Sequence, residues 1–263
     1  MTAGSRDPAA PTAPEAMPQG AVSEDRLLGG RVRLSQPVEG YRAAIDPVFL
    51  AAAVPGRAGE SVLDLGCGAG AAALCLLARV PELSVTGLEI QAELVRLAGE
   101  NARANGVAER FLPIAGDLAR PPPRLAPGAF HHVLCNPPQL PAEGSRPASN
   151  PARDTANREG EARLADWVSA ALAMVRPKGS LCFVHRADRL DALLAALSGR
   201  AGEIVVFPLW PRQGQAAKRI LLRARKGVAT PLRLSAGLVL HEADGGFTPA
   251  ANAVLRDGAG LEL

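Results

Sequence analysis

The chain has 263 residues, of which 48% are hydrophobic and 3% aromatic, and its formal net charge at pH 7 is +3. This length and apolar content can bury one sizeable core, so the composition predicts a globular protein and excludes a disordered one. The mildly basic balance is compatible with an anionic partner but does not require one.

The cysteine and histidine residues show no pattern typical of a metal site. The four cysteines form no CxxC pair, have no histidine at ligand spacing and lie in apolar stretches, so they are expected to be buried thiols of a cytoplasmic protein. His131 and His132 are expected neither to bind a metal nor to act as a base. No apolar run is long enough to span a bilayer, and no signal-peptide pattern is present, so no membrane partner is expected. The cysteines are Cys67, Cys75, Cys135 and Cys182.

The chain begins with a segment that shows no hydrophobic period. Residues 1–26 are rich in Ala, Pro and Gly, which predicts a disordered leader. From about residue 27, short apolar runs alternate with helical stretches, and residues 27–263 are predicted to form a single domain.

Alternating strands and helices define the predicted fold class as α/β, with a parallel sheet covered on both faces. The predicted strands are 61–68, 83–90, 110–117, 131–138 and 179–186, and the predicted helices are 69–80, 92–106, 162–175 and 189–199. Residues 203–211 and 219–227 follow without a helix between them, which predicts an antiparallel hairpin at one edge. Ligands of such sheets bind beyond the carboxyl ends of the strands.

A glycine-rich turn follows the first predicted strand. In "VLDLGCGAG", Asp64 ends the strand, and Gly66, Gly68 and Gly70 stand at alternate positions. Glycines here let the backbone approach a ligand, and the next helix offers unpaired amide groups. The spacing is not the G-x-G-x-x-G of dinucleotide sites. The carboxylate of Asp64, two residues before the first glycine of the turn, would repel a pyrophosphate and attract a cation.

This D-x-G-x-G-x-G stretch resembles the signature of class I methyltransferases, whose cofactor, S-adenosylmethionine, is cationic. The resemblance implies a Rossmann-like fold with a mostly parallel seven-stranded sheet and an antiparallel edge hairpin. It implies that Glu89, ending the second strand, binds the ribose hydroxyls, and that Asp117, ending the third, lies beside the adenine. The full set expected at the cofactor is Asp64, Gly66, Cys67, Gly68, Gly70, Glu89, Ile90, Asp117 and Asn136.

The fourth predicted strand ends in "NPPQ". Two prolines cannot continue a central strand, and they leave carbonyl oxygens unpaired. If the side-chain oxygen of Asn136 and the carbonyl of Pro137 each accept one N–H of an amino group, the nitrogen lone pair turns toward the methyl donor. Pro138 would keep this geometry stiff. The predicted catalytic residues are Asn136, Pro137 and Pro138.

The tetrapeptide is similar to the N-P-P-[YF] motif of amino methyltransferases, which act on adenine N6, cytosine N4 or glutamine N5. In those enzymes the aromatic residue stacks on the target base, whereas this chain has Gln139. Gln139 can hydrogen-bond a base edge but cannot stack in the same way. Tyr41, Phe49 or Trp210 could supply a substitute face, and the sequence does not choose among them.

The flanking segments resemble the bacterial methyltransferases that modify adenine N6 at position 37 of a valine tRNA. Upstream, "LLGGRVRLSQPVEGYRAAIDPVFLAAAVP" places Gln36 and Asp46 where that family has a Gln and an acid before an apolar helix, and Asp46 is expected to cap this helix. Downstream, "ARDTANREGEARLADWV", "QAAKRILLRARKG" and "LVLHEADGGFTPAANAVLRDG" are also similar. The resemblance covers about residues 27–260. It implies an N-terminal hairpin and helix ahead of the first predicted strand, and a tRNA substrate.

Basic residues near the predicted site fit a tRNA partner, although a solubilising sheet edge would show the same residues. The residues expected to bind substrate are Gln139, Asp46, Arg153, Lys218 and Arg219. The wider basic set is Arg31, Arg33, Arg146, Arg158, Arg212, Arg223, Arg225 and Lys226. The connection from Gln139 to Asp154 has no period of its own, which is typical of a functional lid or of disorder.

The function expected from these motifs is methyl transfer from S-adenosylmethionine to the N6 of an adenine in tRNA. DNA is not expected as a substrate, because the chain shows no target-recognition domain. Two alternatives stay open: a protein-glutamine N5 or small-molecule N-methyltransferase, and a catalytically inactive RNA-binding module. The sequence does not determine the oligomeric state, and a monomer is expected.

Overall fold

The computed structural model describes residues 21–38, 42–139 and 162–263. Several sequence predictions therefore lie outside the described residues: most of the leader, Tyr41, and the connection beyond Gln139. The basic residues of that connection also lie outside the described residues; they are Arg146, Arg153 and Arg158.

The described chain begins with an antiparallel hairpin of β1 (Val22–Leu27) and β2 (Val32–Pro37), joined by a 3-10 turn. The hairpin predicted by family resemblance is thus present, but the predicted end of the leader at residue 26 is wrong. β1 alternates half-buried and exposed residues and contains three charged side chains, so its composition resembles a leader. Pairing with β2, rather than burial of an apolar face, holds it.

The domain follows the predicted alternation of strands and helices. Its elements are α1 (Asp46–Ala53), β3 (Ser61–Leu65), α2 (Ala71–Arg79), β4 (Ser84–Glu89), α3 (Ala92–Ala104), β5 (Phe111–Ala115), β6 (Phe130–Cys135), α4 (Leu164–Met174), β7 (Val175–Arg186), α5 (Leu190–Leu197), β8 (Ala201–Trp210), β9 (Arg219–Lys226), β10 (Arg233–Leu234), β11 (Leu238–Val239) and α6 (Pro249–Leu255).

Within the described residues, one nine-stranded sheet has the order β10-β8-β9-β7-β6-β3-β4-β5, and β11 also pairs with β8. Strands β3 to β7 pair in parallel, whereas β9 lies antiparallel between β7 and β8. The α/β class, the parallel sheet and the antiparallel edge hairpin are confirmed. The sheet has two strands more than the predicted seven, because the two-residue strands β10 and β11 both pair with β8.

Strand β3 shows how the sheet is buried on both faces. Val62 and Leu63 point to opposite sides and neither is exposed. Val62 packs in the cluster that contains α1 and α2, and Leu63 packs in the cluster that contains α4. Such continuous apolar runs are typical of parallel strands covered by helices. The four cysteines are buried thiols, as predicted. In the part of the chain that the structure describes, no helix has the length and apolar character needed to cross a membrane.

Helix α3 is joined to the hairpin by the buried Asn101. Its side-chain NH2 donates to the carbonyls of Ser35 (2.8 Å) and Ala69 (2.9 Å), and its Oδ1 accepts from the Ser35 N–H (2.8 Å). One turn later, Asn105 forms the same paired bonds with the backbone of Arg33 (2.9 and 2.6 Å). The two carboxamides act as a strand neighbour for β2. Asn101 also ties β2 to the glycine turn after β3.

Replacing Asn101 by Ala should lower the free energy of unfolding by about 3 kcal/mol, because three backbone groups lose their partner in a buried site. Urea denaturation measures this change. Arg103→Ala, on an exposed position of the same helix, is the control and should change stability by less than about 0.5 kcal/mol. Equal effects of both variants would contradict a structural role for the Asn101 bonds.

Candidate active site

The turn between β3 and α2 is held against the end of β4. The N–H groups of Gly66 and Cys67 donate to the carbonyl of Leu88 (2.8 and 3.1 Å), and the Gly70 N–H donates to the Cys67 carbonyl (2.8 Å). Gly66, Gly68 and Gly70 have φ values of 75°, 54° and 91°, a region that side chains other than glycine rarely adopt. The predicted glycine turn is therefore present; backbone hydrogen bonds hold it, and its conformation requires glycine at these three positions.

The three glycines have different surroundings. A Cβ on Gly66 would lie 2.7 Å from the Trp167 ring, and one on Gly70 would lie 2.6 Å from the Phe111 ring. A Cβ on Gly68 would meet nothing within 4 Å. Gly66 and Gly70 thus permit close packing, whereas Gly68 borders open space.

Cys67 turns away from that space. A Cβ on Gly87 would lie 2.6 Å from the Cys67 Sγ, so the thiol packs on β4. Burial raises the pKa of the Cys67 thiol well above its ordinary value, with a further upward effect from Asp64. Any contact of Cys67 with a cofactor would therefore involve its backbone rather than its sulfur.

Asp64 places a buried carboxyl beside the turn. The residue is 3% exposed, and its Oδ2 has no hydrogen-bond partner. Burial raises the pKa of Asp64 to about 7; a backbone hydrogen bond with Ala73 lowers it, and the negative charge of Glu89 raises it further. A buried carboxyl with one unsatisfied oxygen is suited to a cationic ligand, whose charge would favour the ionised form.

Glu89 and Ile90 form the next part of the same edge, at the end of β4. The Glu89 carboxylate accepts the N–H groups of Gly68 and Gln91 (both 3.0 Å) and is thus held at the turn. Ile90, which follows it, is 67% exposed and offers an apolar face. At the end of the neighbouring β5, Asp117 accepts the Ala119 N–H (2.8 Å). The three predicted acids therefore lie at adjacent strand ends.

Asn136 lies beside the glycine turn. Cys135 of β6 pairs with Leu65 of β3 in parallel register, so the next residues, Asn136 and Gly66, follow neighbouring strand ends about 4.8 Å apart. The side chain of Asn136 is half-buried. The sequence prediction that this residue would stand next to the turn after Asp64 agrees with the register.

Two oxygen atoms at this strand end converge on one amino group. The Nε2 of Gln139 donates to Oδ1 of Asn136 (2.9 Å) and to the carbonyl of Pro137 (2.8 Å). These are the two acceptors that the sequence predicted for a substrate amine. Gln139 itself is buried, and the sequence had suggested contact with a base edge instead. Pro137 is buried and Pro138 is half-buried.

An aromatic side chain that the sequence interpretation missed lies over the turn. Trp167, in the first turn of α4, packs against Gly66, and its buried Nε1 has no partner. A helix that follows a parallel strand begins at the carboxyl edge of the sheet, which is the signal that could have identified Trp167. Of the residues suggested earlier, Phe49 is fully buried in the core, and Trp210 ends β8, three strands from β6.

The structure joins two residues predicted to bind substrate. Arg219 at the start of β9 donates from Nε to Oδ2 of Asp46 (3.0 Å). Asp46 is the first residue of α1 and forms no capping bond, so the prediction that it caps this helix is wrong; Ile45 holds the cap position. The Asp46 carboxylate forms an ion pair with the Arg219 guanidinium instead. Lys218 is exposed beside the pair.

Part of the predicted basic set lies elsewhere. β9 runs antiparallel to β7, so Arg219 pairs with Arg186 at the carboxyl edge, whereas Arg225 pairs with Ser180 toward the opposite edge. Arg225 also binds Glu203 (2.8 Å), and the Lys226 amine donates to a backbone carbonyl. The prediction that the whole β9 set surrounds the site is wrong, because the antiparallel direction of the strand separates its two ends.

The two adjacent histidines lie toward the other edge of the sheet. His132 bonds to Ser180 (2.6 Å) and Glu60 (2.8 Å), and His131 bonds to Ser61 at the start of β3. Burial lowers the pKa of His132. Both rings therefore support the amino-terminal ends of the strands, away from Asn136.

Comparison with known proteins supports the class that this geometry defines, a class I methyltransferase. The family model described as methyltransferase small domain matches residues 45–147. A crystal structure of a "predicted O-methyltransferase" from Agrobacterium tumefaciens superimposes with a TM-score of 0.69 at 26% identity, over 82% of this chain and 98% of that one. The tRNA (m1A58) methyltransferase of Aquifex aeolicus shares the fold, with a TM-score of 0.54 at 14% identity over 74% and 73% of the two chains.

Sequence relatives are more specific. The tRNA1(Val) (adenine(37)-N6)-methyltransferase of Actinobacillus succinogenes is 30% identical over 70% of this chain and 77% of its own length. The enzyme of the same name from Aeromonas hydrophila is 28% identical over 79% and 85%. The chain belongs to the tRNA1(Val) (adenine(37)-N6)-methyltransferase family, as the resemblance of its flanking segments predicted.

Gly66→Ala and Gly68→Ala should differ in stability. Both variants place a side chain at positive φ, at a cost of about 1 kcal/mol, but only Gly66→Ala also forces its methyl group into the Trp167 ring, for which we expect about 2 kcal/mol more. Thermal or urea unfolding of the two variants measures the difference. In a Trp167→Ala background the excess cost of Gly66→Ala should vanish, and its persistence would exclude the ring contact as its cause.

Proposed function

We propose that this protein transfers a methyl group from S-adenosylmethionine to the N6 of an adenine in tRNA. The observation that carries the proposal is the pair of acceptors, Asn136 Oδ1 and the Pro137 carbonyl, that hold one NH2 group beside the glycine turn. Membership of the family supports tRNA as the substrate.

The residues around the turn fit the cofactor. Asp64 has an unpartnered buried oxygen for a positive charge, and Gly68 borders open space. The Glu89 carboxylate, already held by the Gly68 N–H, would accept the ribose hydroxyls, and the exposed Ile90 would cover the adenine beside Asp117. When bound, S-adenosylmethionine supplies an electrophilic methyl group on a sulfonium.

The acceptor pair would prepare the target nitrogen. The N6 amine of adenine is a poor nucleophile because its lone pair is delocalised into the ring. With one N–H donated to Asn136 and the other to Pro137, the lone pair is directed out of the plane of these bonds toward the methyl group. Pro138 limits movement of the Pro137 carbonyl. After transfer, the extra proton leaves the nitrogen for solvent, so no strong base is needed.

The base has to leave its stack to reach this pocket. Lys218 and the Asp46–Arg219 ion pair lie at the carboxyl edge of the sheet, where they would contact the RNA around the flipped base. Arg212, in the exposed connection between β8 and β9, lies at the same edge. Arg153, outside the described residues, stays a predicted contact.

A second candidate function is methylation of a glutamine N5 in a protein. The specific observation in its favour is that a primary amide, that of Gln139, is held by the acceptor pair. An amide and an adenine amine present the same two N–H donors, so the pair alone does not distinguish them.

Asn136→Ala should reduce methyl transfer to tRNA by about 100-fold or more, because one of the two groups that orient the amine is lost. Its affinity for S-adenosylhomocysteine should stay nearly unchanged. Purified protein with labelled donor and total tRNA measures transfer, and calorimetry measures affinity. Arg103→Ala, on an exposed position of α3, is the control and should retain transfer.

The recipient of the label decides among the functions. Label in N6-methyladenosine after nucleoside mass spectrometry supports the proposal. Label in a protein glutamine and none in tRNA would replace it with the second candidate. Binding of tRNA with no release of S-adenosylhomocysteine would indicate an inactive RNA-binding module. Full transfer by Asn136→Ala would refute the proposed role of the acceptor pair.

Cofactor affinity should depend on pH through Asp64. Its pKa is raised to about 7 in the folded protein, so the carboxyl is neutral below that pH and ionised above it, and a cation binds the ionised form more tightly. S-adenosylhomocysteine has no sulfonium but keeps the α-ammonium group of the cofactor, so its affinity should rise about tenfold between about pH 6 and about pH 8 if Asp64 binds that group. Asp64→Asn should bind more weakly with a flat profile; an unchanged slope in this variant would assign the titration to another group.

A further inference from the structure

The contacts of Gln139 raise a question about access to the acceptor pair. Both acceptors proposed for the substrate amine are bonded to one nitrogen of the protein, at 2.9 and 2.8 Å. The Gln139 NH2 and an adenine N6 amine present the same arrangement of two N–H donors on a trigonal nitrogen. Gln139 therefore occupies the place of the substrate amino group.

This occupancy excludes a substrate amine. Each bond to the acceptors is at an ordinary hydrogen-bond length, so a second nitrogen at the same distances would overlap Nε2 of Gln139. The acceptors cannot separate to admit both, because one belongs to the backbone of Pro137, which is followed by a second proline of restricted geometry. Gln139 has to move before any amine can bind there.

The bound position of Gln139 is only partly satisfied. Its Oε1 is buried and has no hydrogen-bond partner, although the residue is 7% exposed. A buried carbonyl without a donor is unfavourable. Leaving the site costs Gln139 two hydrogen bonds but gives its Oε1 access to water or to a donor on a ligand. These opposing effects make displacement by a ligand feasible, while the acceptors stay bonded when no ligand is present.

We propose that Gln139 is a specificity-determining residue that competes with the substrate for the acceptor pair; the proposal rests on the proposed function of that pair. An amine binds with its intrinsic affinity multiplied by the fraction of protein in which Gln139 has moved aside. A tRNA, which gains further contacts with the basic edge, can overcome this competition. An isolated small amine lacks these further contacts, so it displaces Gln139 only at high concentration and binds weakly.

The test compares wild type with Gln139→Met, in which the side chain keeps its length but has no N–H to donate. Both proteins are saturated with S-adenosylhomocysteine, so that free nucleosides cannot enter the cofactor site. Adenosine should bind the Met variant about tenfold more tightly than wild type. Purine riboside, which lacks the amino group, should bind both proteins equally.

A second measurement needs no substitution. In wild-type protein labelled with nitrogen-15, the side-chain NH2 signals of Gln139, assigned by their loss in Gln139→Met, should shift toward solvent-exposed values when adenosine is added and stay in place with purine riboside. Unmoved signals at saturating adenosine would overturn the proposal. Equal adenosine affinity in the two proteins would do the same.

The proposed function and the competition by Gln139 can fail separately. If tRNA is methylated but adenosine affinity is unaffected by Gln139→Met, the competition is wrong and the proposed function stands. If no nucleic acid is methylated but adenosine displaces Gln139, the proposed function is wrong and the competition by Gln139 stands. Incubation with S-adenosylmethionine alone should leave the Gln139 peptide unmodified by mass spectrometry. A methyl group on Gln139 would overturn the competitor role by showing that this amide is itself the methyl acceptor.

Discussion

The hydrogen-bond register of three parallel strands is the constraint on which the rest of the site depends. Leu65 of β3 pairs with Leu88 of β4 on one side and with Cys135 of β6 on the other. This register brings the glycine turn, Glu89 and Asn136 to one level at the edge of the sheet. A shift of one residue in β6 would turn Asn136 to the other face and remove one acceptor from the amine.

Packing around the glycine turn preserves this level. Phe111 and Trp167 lie where side chains on Gly70 and Gly66 would be, so the turn is enclosed on two sides by rings from β5 and α4. Asn101 bonds the turn at Ala69 and the N-terminal hairpin at the same time. The hairpin is thus part of the support of the site, and the space beside Gly68 stays open.

Most of the fold could be read from local patterns, because each buried parallel strand is a continuous apolar run and each glycine or proline marks its end. The strand β1 could not, since its side chains alternate with no apolar face and only pairing with β2 orders it. The position of Asp46 at the start of α1 was also predicted, but its interaction was not. An acid at the start of a helix is usually a cap. Here Arg219, distant in sequence, forms an ion pair with it.

The sequence by itself determined the α/β class, the order of the strand ends and the chemistry of the residues at them, because these follow from period, glycine spacing and the two prolines. Only the tertiary structure decided what those residues contact. The Asp64 carboxyl is left with an unpartnered oxygen, and Trp167 covers the turn. The amide of Gln139 folds back onto Asn136 and Pro137. The physical reason is that side-chain direction and burial depend on neighbours distant in sequence, which local patterns do not encode.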